Sequence, residues 1–500
     1  MTGDQVPTIT KGTDSSSKLL GKLVPAGFGR DALVLASGTA LGRLVLITTL
    51  PLISRLYLPE QVGQWQIFVS LYLVLGPLVC MRYEQAIPLP RNDRDACSLL
   101  AACVALTVLV ASAIAVLVLS LGNDLLHVLG IPAASGWSLV LPAMVFLLGV
   151  EQSSNQWLTR RGAFWTMAAG RVIRPVGVCA VPLCAALLGR TDTVFLVTGS
   201  LAGALLAAAL LAACVLARDG RGLLQGGSLQ RMRLLVTRYR AYPLYVVPYG
   251  LVSQFSMRLM LFVLGAYATQ AVAGFFAMAV QLVIMPVSML TGALRTALYR
   301  KTSRDGLGGQ LGAFVTARLE CIAALLTPPV FFFLLHGKSL TMLVLGPRWQ
   351  YAGDFAVWLA CPAFVLFFTA WLDRLFDVAG RQRLAVALQV VYDAVALGGF
   401  FALLAAGTEP RAAVALYSIV TVAYNLAWLV VVFKVSGFAL VGLKRPALIV
   451  ALIPCALLAF HLLAARLLPA ASLPWADGSA AGGLALTMGL HWRVKQEQHA

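Results

Sequence analysis

Charge is what this sequence has least of. Only 12% of its 500 residues are charged, about half the share usual for a soluble chain of this length, and 60% are hydrophobic. A single globular core does not account for that surplus. Acidic residues are the scarcest, 20 against 38 Lys and Arg, for a net charge of +18. The nine cysteines stand singly, without a CxxC pair, so neither a zinc site nor a disulfide framework is expected. The five histidines show no metal-ligand spacing. No Gly-rich phosphate loop ending in Lys-Ser/Thr is present, so the chain does not read as its own ATPase. No cofactor and no metal are therefore expected.

What the sequence has is repetition of apolar runs of about 20 residues, each long enough to cross the roughly 30 Å hydrocarbon layer as a helix. A backbone in lipid must satisfy its own hydrogen bonds, so bundled helices are the expected architecture. The runs lie at 31–57, 62–81, 97–121, 137–158, 163–188, 193–217, 241–265, 272–294, 314–335, 352–372, 384–404, 412–433, 447–465 and 474–490. The last is short and Gly/Ala-rich. The first 30 residues are polar, Ser/Thr-rich and without the apolar core of a secretory signal, and read as a flexible tail.

The placement of basic residues tests this layout. With the N-terminus inside, 28 of the 38 Lys and Arg fall on inner segments, 6 on outer ones and 4 within spans. That bias predicts both termini in the cytoplasm. It assigns the positive charge to loops beside an anionic leaflet, with membrane lipids rather than nucleic acid as the partner. The stretch "VCMRYEQAIPLPRNDRDACSLL" (79–100) reads as an inner loop. Arg82, Arg91 and Arg94 anchor it, Pro88 and Pro90 stop the second span, and Tyr83 suits the headgroup zone.

Within the spans, each ion needs a reason, because a charge at mid-bilayer costs at least about 2.5–3.5 kcal/mol. Arg43 lies midway along the first span and Arg258 well inside the seventh. "LYLPEQVGQWQIFVSL" parallels "AYATQAVAGFFAMAVQL", and aligning Gly63 with Gly274 gives an offset of 211 residues. Under it, Arg43 and Arg258 lie about one turn apart in equivalent places of two halves. Either they face each other across a central cavity, or they snorkel or pair locally. Such repeats commonly place the substrate between the halves near mid-membrane.

In the fourth and fifth spans, Glu151 and Arg171 lie ten residues either side of Arg161, hence at similar depth, and an ion pair between them is expected. Arg174, at i+3 from Arg171, is then left to bind phosphate oxygens, or to join a structural network with Asp393 of the eleventh span. Gln152, Ser153, Ser154, Asn155 and Gln156 follow Glu151, and could bond sugar hydroxyls or join helices. Tyr245, Tyr249, Trp358 and Tyr392 could stack on sugar faces or simply pack. Ten prolines within spans, among them Pro51, Pro175, Pro243 and Pro362, suit kinked, rocking helices.

Four segments carry a family resemblance. "RYEQAIPLP", after "PLISRLYLPEQVGQWQIFVSLYLVLGPL", resembles the start of bacterial polysaccharide and O-antigen flippases of the multidrug/oligosaccharidyl-lipid/polysaccharide exporter superfamily. "NQWLTRRGAFWTMAAGRV" (155–172) resembles the hairpin of that family's fourth and fifth helices, and "VAGFFAMAVQLVIMPVSML" (272–290) its eighth. "LVLGPRWQYAGDFAVWLACPAF" (343–364), followed by "GRQRLAVALQ", resembles its tenth and eleventh.

The resemblance covers about residues 31–435. It implies an all-α polytopic membrane protein with about 14 transmembrane helices, in two six-helix lobes plus a C-terminal helix pair. The expected divisions are a tail (1–30), an N-terminal lobe (31–217), a basic cytoplasmic loop (218–240), a C-terminal lobe (241–433) and the added pair with its tail (434–500). "GRGLLQGG" (220–227) reads as a flexible part of that loop. The implied activity is translocation of a lipid-linked oligosaccharide across the bacterial inner membrane. Polysaccharide polymerase or assembly proteins are implied partners, and the last two helices would guide the lipid tail.

Two other classes differ in what they need. A cation or drug antiporter favours acids in its cavity, yet four mid-span arginines outnumber the deep acids Glu151 and Asp393. A membrane-embedded polymerase needs a sizeable outer loop, and the outer loops here are about 15 residues at most.

Overall fold

The computed structural model describes residues 28–128, 140–226, 229–305, 309–467 and 479–484. The expected tail up to residue 27 and most of the fourteenth span lie outside them. Among the described residues every regular element is helical. The first six long helices are α1 (Phe28–Leu56), α2 (Pro59–Val79), α3 (Asp93–Val128), α4 (Val140–Arg160), α5 (Phe164–Leu187) and α6 (Thr193–Gly226). A short α7 (Leu229–Arg238) leads to α8 (Val247–Tyr267), α9 (Gln270–Asp305), α10 (Gly309–Leu345) and α11 (Gln350–Thr369). The short α12 (Arg374–Val378) precedes α13 (Gln382–Ala405), α14 (Pro410–Val435) and α15 (Lys444–Leu467).

Twelve helical spans are long and apolar enough to cross a membrane. The chain is thus a multi-pass membrane protein. The fourth expected span forms the 21-residue α4 but is not one of the twelve, because Glu151–Gln156 make its second half polar. That half is enclosed by protein: Ser153, Ser154, Trp157 and Leu158 are buried. Hydroxyls inside the bundle bond back to carbonyls one turn earlier, as Thr107 does to Cys103, Ser153 to Gly149 and Thr291 to Val287. Prolines at 51, 175, 182, 286 and 362 lie within continuous helices. Around Pro243 the pattern loosens into a π-helical turn, Tyr242–Val246.

Two inner segments depart from expectation. Residues 218–240 are largely helical: α6 continues to Gly226, and α7 buries Leu235 while packing on α3. "GRGLLQGG" is therefore helix through Gly226, since its leucines and glutamine favour continuation at a modest cost from glycine. Likewise α2 ends at Val79, well before Pro88, and its exit is made by Met81 and Arg82 at φ 50° and 60°. Tyr83 is buried against protein, and its hydroxyl donates to the Val236 carbonyl of α7 at 3.1 Å.

The helices pack in two sets. In the first, α5 lies between α1 and α6, with α3 and α4 closing the group; in the second, α11 is central to α9, α10 and α14. α2 joins them by packing along α8 and α9. At the end predicted to face outward, Gly63 and Gly274 bring α2 and α9 into main-chain contact. A Cβ on Gly63 would lie 1.8 Å from the Gln270 carbonyl oxygen, and one on Gly274 would lie 2.0 Å from that of Pro59. The 211-residue offset that relates Gly63 to Gly274 also relates Pro59 to Gln270, so the contact is a two-fold crossing of the internal repeat.

Side chains reinforce this end. The Gln64 amide donates to Gln270 Oε1 at 2.5 Å, Arg55 to the Leu343 carbonyl at 3.0 Å and Trp349 Nε1 to the Ser54 carbonyl at 2.6 Å. One apolar core runs through the first set and across this end to Trp349, Phe355 and Val414; a second core occupies the other half of the second set.

Gly63→Ala or Gly274→Ala should destabilise the protein by about 1–3 kcal/mol, the usual cost of overpacking. Gly398→Ala, where an added methyl meets nothing within 4 Å, should leave thermal melting of the purified protein unchanged or raised. Equal melting of all three would mean the crossing yields without cost.

Candidate functional site

Ion placement in the first set follows from which way each helix face points. The Arg171 carbonyl of α5 lies against α1, where a Cβ on Gly42 would come within 2.3 Å of it. The Arg171 side chain accordingly faces α1, donating to Thr39 Oγ1 at 2.5 Å and to the Leu35 carbonyl at 3.5 Å. Arg174 is three residues on, about 60° around the helix from Arg171, and points toward α4 and α2 instead. Its Nη1 forms the ion pair with Glu151 Oε2, and its Nη2 donates to the Tyr72 hydroxyl at 3.0 Å.

The expected Glu151–Arg171 pair is thus corrected to Glu151–Arg174. Residue counting places the partner to within one turn, but depth does not decide facing. Arg174 is consequently not the unpaired arginine. Its side chain is 23% exposed and that of Glu151 18%.

The remaining polar residues of α4 divide. Gln152 reaches α2, where a Cβ on Gly76 would lie 3.5 Å from its Nε2; its Oε1 is buried without a protein partner. Asn155 turns back on its own helix, Nδ2 donating to the Glu151 carbonyl at 2.9 Å. Gln156 is half-buried on the same helix.

Arg43 lies within electrostatic range of Arg171. Arg258 of α8 donates to Gln254 Oε1 at 2.6 Å and lies within electrostatic range of Tyr72. Tyr72, 4% exposed, thus binds a partly buried ion pair of the first helix set and lies within electrostatic range of a cation of the second. Sequence reading missed it; the available signal was a phenol inside an apolar span, where its hydroxyl needs a partner.

Asp393 does not join Arg174. It accepts from Gln389 Nε2 at 3.0 Å, one turn earlier on α13. Tyr392 stacks on Tyr424 at 4.3 Å between ring centroids and bonds Tyr417 and Thr421 of α14, while Tyr424 donates to Gln389. Of the other candidate aromatics, Tyr245 and Tyr249 are 74% and 71% exposed on neighbouring turns, and Trp358 is partly exposed. The arrangement presents one guanidinium held by both a carboxylate and a phenol, with a second, that of Arg258, within electrostatic range of the phenol. Such a group can exchange an internal anion for an external one. Among the described residues, no cluster of His, Cys, Asp or Glu could hold a metal ion.

A model of the family described as "Polysaccharide biosynthesis protein" matches residues 41–353, more than half of the chain. No curated protein sequence matches it. Among solved structures, the chain is similar to a lipid II flippase, MurJ, in an inward closed conformation. The TM-score is 0.66 at 10% identity, over 94% of this chain and 99% of that one. A transporter of the MOP superfamily from Pyrococcus furiosus aligns with TM-score 0.56 and 16% identity, over 81% and 95%. A mutant form of the MATE transporter VcmN of Vibrio cholerae aligns with TM-score 0.52 and 14% identity, over 84% and 98%. At these identities the likeness is one of fold.

Breaking the ion pair from one side should be costly. Glu151→Gln leaves the Arg174 charge uncompensated and should destabilise by roughly 3–5 kcal/mol, whereas Glu151→Gln with Arg174→Gln should recover most of that loss. Melting of the purified variants in detergent checks this. Strictly additive losses in the double variant would contradict the pairing.

Proposed function

The chain belongs to the polysaccharide biosynthesis protein family, and from that premise we propose that it is a flippase for a polyprenyl-pyrophosphate-linked oligosaccharide. It would move this repeat unit of lipopolysaccharide, capsule or exopolysaccharide from the cytoplasmic to the periplasmic leaflet of the bacterial inner membrane, by alternating access. The observation that carries this reading is the ion pair of Arg174 with Glu151 inside the helix bundle and the bond of Arg174 to the Tyr72 hydroxyl, with Arg258 of the other helix set within electrostatic range of Tyr72. On this reading the chain is a transporter rather than an enzyme, with both termini cytoplasmic. Residues 31–217 and 241–433 act as the two lobes, 218–240 as their basic connection and 434–500 as the added pair.

The electrostatics favour an anionic headgroup. A guanidinium in a water-poor cavity binds phosphate through two parallel N–H···O bonds. When no cargo is present, Glu151 occupies Arg174 and keeps a buried charge neutral, so the empty protein can pass through an occluded state. The pyrophosphate then displaces Glu151, and Arg258 closes on it from the other lobe. Gln152, with its unpartnered buried Oε1, supplies an acceptor for a sugar hydroxyl. Arg43 and Arg171 extend the positive surface toward α1. Asn155, Gln156 and Asp393 contribute less directly: Asn155 and Asp393 are engaged within their own helices. Exposed Tyr245 and Tyr249 offer stacking faces on α8 and the turn before it. The lipid tail stays in the bilayer, and polymerase or assembly proteins would take up the delivered unit.

Leaflet-resolved detection of lipid-linked glycans, in cells with and without the protein, tests the reading. Loss should accumulate cargo on the cytoplasmic leaflet. Arg258→Ala, and Arg174→Ala combined with Glu151→Ala to avoid an orphaned acid, should fail to rescue while remaining abundant. A charged hydrogen bond worth about 1.5–3 kcal/mol corresponds to a roughly ten- to hundredfold loss of cargo affinity. Normal rescue by both variants would remove the arginines from the site; no accumulation, with altered tolerance of cationic drugs, would replace the flippase by an antiporter.

A further inference from the structure

The "RYEQ" stretch after α2 is not used by the cargo reading, yet it is built at visible cost. Met81 and Arg82 adopt φ values of 50° and 60°, left-handed conformations that side chains other than glycine rarely take. Two such residues in succession persist only where the surroundings over-determine them. The turn tucks Glu84 inward until only 3% of its side chain is exposed. Its one charged neighbour among the described residues is Arg82, at 3.6 Å, beyond hydrogen-bond length. Glu84 Oε2 and Arg82 Nε are both buried without a partner. The thiol of Cys103 on α3 lies within electrostatic range of Glu84.

Arg82 does not stop at Glu84. A Cβ on Gly250 of α8 would lie 3.0 Å from Arg82 Nη2 and 3.2 Å from Pro77. The guanidinium thus rests on the α8 backbone where α8 meets the end of α2. The neighbouring Tyr83 ties the same turn to α7. One buried carboxylate therefore positions the cation that seals one helix set to the other.

We propose that Glu84 is a single-proton binding site. Ionised, it holds Arg82 against α8 and clamps the α2–α8 contact at the end predicted to face the cytoplasm; protonated, it releases Arg82 and frees that contact. The proton comes from the aqueous phase on that side and adds to Oε2, the oxygen without a partner; no other bond forms or breaks. Burial pushes the Glu84 carboxyl above the usual carboxylate range, against the lowering from its own backbone N–H and from Arg82. Protonation therefore falls closer to neutral pH than for a solvated glutamate. Without its anion, Arg82, whose side chain is 20% exposed, loses its charge partner and leaves for water or lipid phosphate. The left-handed turn can then relax. None of this depends on what the protein carries.

Hydrogen–deuterium exchange of the full-length protein in lipid nanodiscs, between about pH 5 and 8, tests the site. After correction for the intrinsic exchange rate, protection of peptides covering 79–90 and 247–254 should rise with pH, by no more than tenfold per pH unit, the limit for one proton. Glu84→Gln should hold both peptides at their low-pH protection throughout. Arg82→Gln, which leaves Glu84 in place, should give the same flat, low level, and guards against a Glu84 variant that fails to fold. A flat wild-type profile would overturn the proposal. So would a step that survives in either variant, or a flat profile fixed at the high-pH level.

Discussion

The two halves of this protein depend on a place where side chains are absent. At Gly63 and Gly274 the first turns of α2 and α9 touch through main-chain atoms, each glycine on the other helix's carbonyl. Inside a membrane there is little hydrophobic force between helices, so close packing and polar contacts decide what associates. The crossing supplies close packing, and Gln64, Gln270, Arg55 and Trp349 supply polar contacts around it. The apolar core passes between the helix sets at this end, while the opposite half of the second set keeps a core of its own. The two helix sets thus share a core at this end, and toward the other they meet where Arg82 and Pro77 lie against Gly250.

The same scarcity of water governs the ions. Glu151 and Arg174 neutralise each other, and Tyr72 takes another donor of the guanidinium. Arg171 finds a hydroxyl and a carbonyl on α1. At the end of the first set predicted to lie inside, Arg160 and Arg161 share Asp93, and Arg161 and the Trp157 indole share Asp219. These acids are placed where a cation or an indole needs them, leaving the excess positive charge at the periphery.

The order of the long helices among the described residues was legible in the sequence because lipid demands long unbroken apolar runs. The polar half of α4 was legible as an exception. The partner of Glu151 was not: residue counting gives depth, but Arg171 and Arg174 differ by facing, and facing is set by Gly42 on another helix. Tyr72 carried no pattern beyond a hydroxyl among aliphatics. The turn after α2 misled for a different reason. Three arginines and two prolines read as a solvated loop, whereas the left-handed exit at Met81 and Arg82 carries Tyr83 and Glu84 into the interior. The internal repeat was legible as a 211-residue offset between two glycines; that those glycines touch was not.

The glycine crossing also has a mechanical meaning. A contact made of backbone cannot be repacked by changing rotamers, so it serves better as a fulcrum than as a sliding surface. From Gly63 to the end of α2 is about 24 Å at 1.5 Å per residue. A rotation of about 10° at the fulcrum therefore carries the far end of α2 some 4 Å, roughly the width of one lipid chain. Arg82 lies at the tip of that lever arm. A modest force there exerts its greatest torque on the whole half-molecule, so one side chain is enough to hold the arm.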